Sequence, residues 1–232
     1  MDKLQIENVI KQIESMQEEL PSEYYYTCLP LCIIDAIFSI GVTYSSTKNA
    51  VLFFAKKNNI HLDRRTGNSD YNIDSLLSAY NDICEKDERV IAKELFNNLQ
   101  RTSPVNGITK AEAVKRCAVI LKNYNIQTIN DFQNKLTSKI EDEIKTIPGQ
   151  HSGVSLTYLK MLCGDDNLIK PDRHVLRFLN LDYDNQDDRI YAQKIVEEIV
   201  SNLKTKYPHI SARKVDYMIW NYMSNFKRDN SK

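Results

Sequence analysis

An all-α fold is predicted for this chain by three observations. Apolar residues recur with a period of about 3.6 nearly from end to end. Segments alternating apolar and polar between turn residues are hard to find, and Thr109 with Glu112 and Ser138 with Glu141 have the spacing of a helix-starting capping box.

The first helix is expected over 3–20, with Leu4, Val9, Ile10, Ile13, Met16 and Leu20 on one side and Glu7, Glu14 and Glu18 on the other, until Pro21 ends it. Tyr24-Tyr25-Tyr26 leads to an apolar helix over 29–40 that stops near Gly41, and the polar turn Tyr44-Ser45-Ser46 opens the next, over 47–58. Residues 61–72 carry turn formers and charges without period, so they read as the longest loop or a mobile insertion. Helices over 73–84 and 88–100 follow, then one after Thr109 that carries Ala113, Val114, Cys117, Ile120 and Leu121. Pro148-Gly149-Gln150-His151-Ser152-Gly153 interrupts two helical patterns, so 138–164 reads as helix, tight hairpin, helix. Helices near 172–180, 187–206 and 211–226 close the chain. The expected organisation is a two-lobed helical bundle: 29–163 as a barrel-like lobe holding the hairpin at 147–155, and 1–28 with 164–232 as the second lobe.

A length of 232 residues with 42% hydrophobic and 27% charged residues fits an ordinary globular chain and excludes disordered or collagen-like ones. Lys plus Arg equals Asp plus Glu at 31 each, so no global cationic field draws the chain to nucleic acid or anionic lipid. Any such contact must come from a local patch. The five cysteines, Cys28, Cys32, Cys84, Cys117 and Cys163, are odd in number and read as small buried hydrophobes, since no second close Cys or His pair joins Cys28 and Cys32 in a metal site. His61, His151, His174 and His209 show no metal spacing. No signal-peptide pattern and no apolar run near the ~20 residues that span a bilayer is present, so a cytoplasmic protein without membrane contact is expected.

Two features can carry chemistry. In the hairpin, Gly149 and Gly153 allow positive φ and the following helix offers free N–H groups, which together make an anion cradle suited to a DNA phosphate. An ordinary αα-hairpin with a glycine turn is the plainer reading. In Lys170-Pro171-Asp172-Arg173-His174-Val175, Pro171 places Asp172 at a helix cap, where the positive end of the dipole favours the charged form of a carboxylate. Such an acid suits stabilisation of a sugar cation, and a plain N-cap is again the alternative. Lys170, Arg173 and Arg177 would supply local positive potential, whereas Lys110, Lys115, Arg116 and Lys122 read as a solvated face. Trp220, in a stripe with Val215, Ile219 and Tyr222, reads as packing.

These stretches, in this order, resemble the helix-hairpin-helix DNA glycosylases, the superfamily of endonuclease III and the adenine glycosylases. Thr109-Lys110-Ala111-Glu112-Ala113 with Lys115, Arg116 and Cys117 looks like the helix before the hairpin, and Ile147-Pro148-Gly149 through Gly153 looks like its L-P-G-x-G turn. Asp172 with His174, Val175 and Arg177 looks like D-T-H-V-x-R, and Leu31 to Phe54, with Ser39, Ser45 and Lys48-Asn49-Ala50, like the early helix pair. The resemblance covers nearly half the chain. It implies that Asp172 is the catalytic aspartate, that Gly149, Gln150, His151, Ser152, Gly153, Lys170 and Arg173 meet DNA, and that Tyr26, Ser39 and Tyr44 line the base pocket. It also sets Asp35 where adenine glycosylases carry a general-acid glutamate. An Asp inside an apolar helix either takes up a proton or finds solvent or a lysine.

The chain departs from the family in having Gln150-His151-Ser152 between its glycines where G-x-G is usual. Val154 or Ser155 stands where lyases carry a Schiff-base lysine, and no cysteine lies beyond Cys163 for an iron–sulfur loop. The expectation is therefore a monomeric, monofunctional glycosylase without cofactor or metal, acting on double-stranded DNA with a damaged or modified base, nucleoid-associated if bacterial. A non-catalytic protein binding distorted or modified DNA is the alternative.

Overall fold

The structure is a computed structural model that describes residues 3–16, 19–83 and 87–229. Among the described residues it is all-helical, with twelve α-helices, one short 3-10 turn at Ser22–Tyr25 and only the isolated bridges Tyr26 to Asp63 and Arg101 to Thr109 in place of a sheet. The helices are α1 (Lys3–Met16), α2 (Leu29–Phe38), α3 (Tyr44–Lys57), α4 (Ile73–Asn81), α5 (Glu88–Phe96) and α6 (Lys110–Asn123). They continue as α7 (Ile129–Lys135), α8 (Ser138–Lys145), α9 (Val154–Leu162), α10 (Arg173–Phe178), α11 (Gln186–Leu203) and α12 (Ala212–Asp229). The chain forms two compact units, Ser22–Gly164 and Met1–Pro21 with Asp165–Lys232. Residues 22–28, grouped by sequence with the termini, belong to the first of these: Tyr24 packs edge-on against Tyr158 with ring centroids 6.4 Å apart.

In the unit Ser22–Gly164, α2 is the axis. All its residues are buried, as its unbroken apolar sequence requires, and α3, α4, α6 and α9 pack around it. Its C-terminal carbonyls would be orphaned in that setting. Lys110, expected on a solvated face, is instead 1% exposed and donates its ammonium to Phe38 O at 2.9 Å, Ile40 O at 2.8 Å and Gln100 Oε1 at 3.4 Å. The cation sits at the negative end of the helix dipole, which offsets its desolvation. Arg116 and Lys122 of the same run lie at the surface, paired with Glu112 at 2.8 Å and Asp74 at 2.6 Å.

Several boundaries differ from expectation for local reasons. Helix α5 stops at Phe96 because Asn97 adopts a left-handed conformation, φ 47°. Thr137, not Ser138, caps α8, and Glu141 reaches Lys160 at 2.5 Å. Thr109 caps α6 through Glu112 N, but the Glu112 carboxylate serves Arg116, so the reciprocal box is absent there and occurs instead at Thr128 and Asp131. The segment 61–72 is no mobile insertion at its start: Thr27 N donates to Leu62 O at 3.0 Å and Arg64 N to Tyr25 O at 2.8 Å, pinning it beside the tyrosine run.

In the other unit, α1, α10, α11 and α12 enclose a core that includes Ile13, Ile169, Leu176, Val196, Val215 and Ile219. Helix α1 is described over Lys3–Met16, and Glu19 and Leu20 are not helical, short of the expected 20; the Leu4 side chain and Glu18 lie outside the described residues. Trp220 is half-buried and stacks with Tyr217 at 6.3 Å.

Candidate active-site carboxylates and hairpin

The hairpin joins α8 to α9. Gln150 N donates to Ile147 O at 2.9 Å and Gly153 N to Gln150 O at 3.0 Å, while Gly149 (φ 87°) and Gly153 (φ 72°) take the left-handed conformations that reverse the chain. At Gly149 a Cβ would stand 2.5 Å from Thr102 Cβ, so this glycine also permits close approach of the segment before α6. Gly149, His151 and Ser152 are exposed, with Gly153 half-buried behind them. Gln150 departs from its expected DNA contact: it is 2% exposed and its side-chain oxygen accepts from the Ser155 hydroxyl, because the longer turn folds it inward.

Asp35 is 1% exposed on α2, and its Oδ2 accepts a 2.7 Å bond from the Tyr26 hydroxyl. Tyr26, expected to present a face to a base, is 3% exposed and committed to this bond. Burial, then the Asp35 charge, pushes the hydroxyls of Tyr26 and Tyr158 well above the usual tyrosine range. Tyr44 is half-buried and bonds Glu23. Partial burial opposes ionisation of Glu23, but the 2.6 Å contact from Lys48 and the bond from Tyr44 outweigh it and hold the carboxyl below its usual range. Ser39 donates its hydroxyl back to Ala36 O at 2.9 Å. The sequence thus named Asp35, Tyr26 and Tyr44 of a carboxyl–tyrosine cluster, but missed Tyr158, whose separation along the chain leaves no local signal, and Glu23, whose place directly before the tyrosine run was the signal available.

Asp172 caps α10, its Oδ1 accepting from His174 N at 2.8 Å and Val175 N at 3.2 Å. The cap uses Oδ1 alone, and the residue is half-buried. Arg173 is exposed with its guanidinium 5.2 Å from the Tyr183 ring centroid. Lys170 N donates to Oδ1 of Asp216 at 2.8 Å, a residue the sequence reading passed over. Asp216 is 3% exposed, and burial, then the neighbouring Asp172, lifts its carboxyl well above the usual range. An Asp flanked by Val215, Met218 and Ile219 was the signal available.

Cys28, Cys32, Cys117 and Cys163 are buried, and burial pushes Cys28 and Cys117 up to about 12; Cys84 lies outside the described residues. Among the described residues no group of His, Cys, Asp or Glu is arranged to hold a metal, and no helix is long and apolar enough to cross a membrane. A cavity of about 300 Å³ lined by Ile13, Leu203, Tyr207, Ile210 and Met218 includes none of the candidate carboxylates.

Fold and residues together define a helical protein with a glycine-bounded hairpin, a buried carboxyl–tyrosine cluster and an aspartate-capped helix. The chain belongs to the family described as Domain of unknown function (DUF8548), which matches residues 5–224. No curated protein and no solved structure matches it.

Proposed function

We propose that this protein is a monofunctional DNA N-glycosylase acting as a monomer, inside the cell, on double-stranded DNA with a damaged or modified base. The observation that carries the reading is the Asp172 carboxylate, oriented through Oδ1 alone so that Oδ2 is left out of the cap. In the proposed reaction the C1′–N bond breaks with its electron pair leaving on the base, Asp172 stabilises the oxocarbenium-like sugar, and a water oxygen attacks C1′. Asp172 orients that water and accepts its proton. The departing base leaves as its anion and takes a proton from solvent.

Hydrolysis without strand cleavage is supported by the residues after the turn, where Val154 has no nucleophile and Ser155 is buried and bonded to Gln150. The amides of the exposed residues Gly149, His151 and Ser152 and the N-terminus of α9 would hold the phosphate backbone, and Lys170 and Arg173 would supply positive charge beside Asp172. A base weakened in its stacking costs least to extrude. Catalysis would not require a bound cofactor.

The alternative is a non-catalytic binder of distorted or modified DNA, favoured by the 1% exposure of Asp35 and the inward Gln150. Alkali-labile sites formed on a panel of lesion duplexes separate the two. Release by the wild type, lost in Asp172→Asn at full DNA occupancy, supports the enzyme. Gel shifts without release from any duplex support the binder.

A further inference from the structure

Behind Asp172 lies a second carboxyl that the proposed reaction leaves unused. Asp216 is buried on α12, in the same apolar core as Ile169, Val175 and Leu176. An acid there is costly unless it is neutral or bonded. Its Oδ1 takes the Lys170 N–H at 2.8 Å, Lys170 O takes the Asp172 N–H at 2.6 Å, and Asp172 Oδ1 takes the amides of His174 and Val175. These bonds run unbroken from α12 to the first turn of α10. Pro171, between the two anchored residues, has no N–H and a fixed φ, so it adds no donor of its own to the turn, and the residue before Lys170 is held by Ile169 N donating to Gln193 Oε1 at 3.1 Å.

We propose that Asp216 is the positioning residue for Asp172, the buried carboxyl that anchors the Lys170–Asp172 turn and so sets where the Asp172 carboxylate stands. The charged groups that act on it are Asp172 and Lys170, from the segment that enters α10. Arg213, one turn earlier on α12, is engaged with Asp166 at 2.6 Å. Burial and the Asp172 charge both favour the neutral acid, which retains an acceptor oxygen for Lys170 and adds no second negative charge beside Asp172. An amide would preserve the acceptor, whereas an aliphatic side chain would fill the space and leave the Lys170 N–H without it.

The anchoring is tested in the full chain, and only the kinetic arm rests on the glycosylase reading. Amide hydrogen exchange is followed by NMR in wild type, Asp216→Asn and Asp216→Leu, with ¹³C-carboxyl-labelled aspartate reporting on Asp172. In Asp216→Leu the Lys170 amide is expected to exchange about tenfold faster, as loss of one buried hydrogen bond implies, and the Asp172 carboxyl signal to move while α11 amides keep their protection. In Asp216→Asn, Lys170 protection is expected to stay within about threefold of wild type. On a lesion duplex that the wild type processes, kcat should fall about tenfold in Asp216→Leu with KM unchanged, and recover in Asp216→Asn. Unchanged Lys170 exchange in Asp216→Leu, or an asparagine that restores neither protection nor kcat, overturns the proposal. If Asp216→Leu does not fold, Asp216→Ala takes its place: faster Lys170 exchange that Asp216→Asn does not show supports the anchor, and unchanged exchange overturns it. A wild type that releases no base defeats the glycosylase reading while the exchange result still decides the anchoring.

Discussion

At the residue scale, buried charged side chains are where this molecule concentrates its constraints. Asp216 is held well above the usual carboxylate range, so the folded chain keeps a proton that the unfolded chain releases above about pH 4. The stability associated with that group is therefore fully present below pH 4 and declines as pH rises toward the folded-state value, by up to about 1.4 kcal/mol per pH unit. Asp216→Asn removes this titration. Urea unfolding is expected to show the variant gaining stability relative to wild type as pH rises from 4 to 7; a difference that does not change with pH would contradict a neutral Asp216. Lys110 has the opposite character, since its ammonium satisfies two carbonyls at the end of α2. Lys110→Met should cost about 1–3 kcal/mol by removing the donor to Ile40 O and leaving Phe38 O with the Thr47 hydroxyl alone, read as a lower urea midpoint. The sequence marks Asp35 by its apolar neighbours, and the same sign was present at Asp216. It could not mark Lys110, which stands among exposed cations, because the carbonyls it caps lie 70 and more residues away.

At the element scale, the two hairpin glycines are predicted to differ. Gly153 needs positive φ, but a Cβ there meets only Lys145 Cε at 3.7 Å, so Gly153→Ala should cost about 1–2 kcal/mol of left-handed strain. Gly149 combines the same strain with a 2.5 Å approach to Thr102 Cβ, and overpacking adds about 1–3 kcal/mol more in Gly149→Ala. Chemical denaturation of both variants gives the order directly, and equal losses would contradict the close approach. The hairpin itself was legible because glycines and a proline punctuate two strong helical periods. The Thr102 contact was not, since nothing local in residues 100–109 announces it. Helix existence was likewise readable from periodicity except at α7, whose seven residues are too short to show a period and were not expected to be helical, while ends were decided by single residues such as Asn97 at the end of α5 and Thr137 at the start of α8.

At the scale of the whole molecule, equal numbers of acidic and basic residues mean that the proposed DNA affinity would have to come from a few local contacts. The dependence of log K on log salt should be shallow, with a slope of about −2 to −4, as for a handful of neutralised phosphates. A slope of zero would remove the DNA-binding premise. The N-terminal helix and the C-terminal helices fall in one unit, as expected of the second lobe, and the division falls at 21/22 where sequence set it at 28/29, because Tyr24 and Tyr26 turn inward. The proposed reaction stands or falls with Asp172 as the carboxylate that acts on the sugar. It is tested most directly by single-turnover base release from a lesion duplex held at saturating Asp172→Asn protein. The rate is predicted to fall by roughly 10²–10⁴-fold with DNA affinity preserved; release at the wild-type rate would contradict the claim.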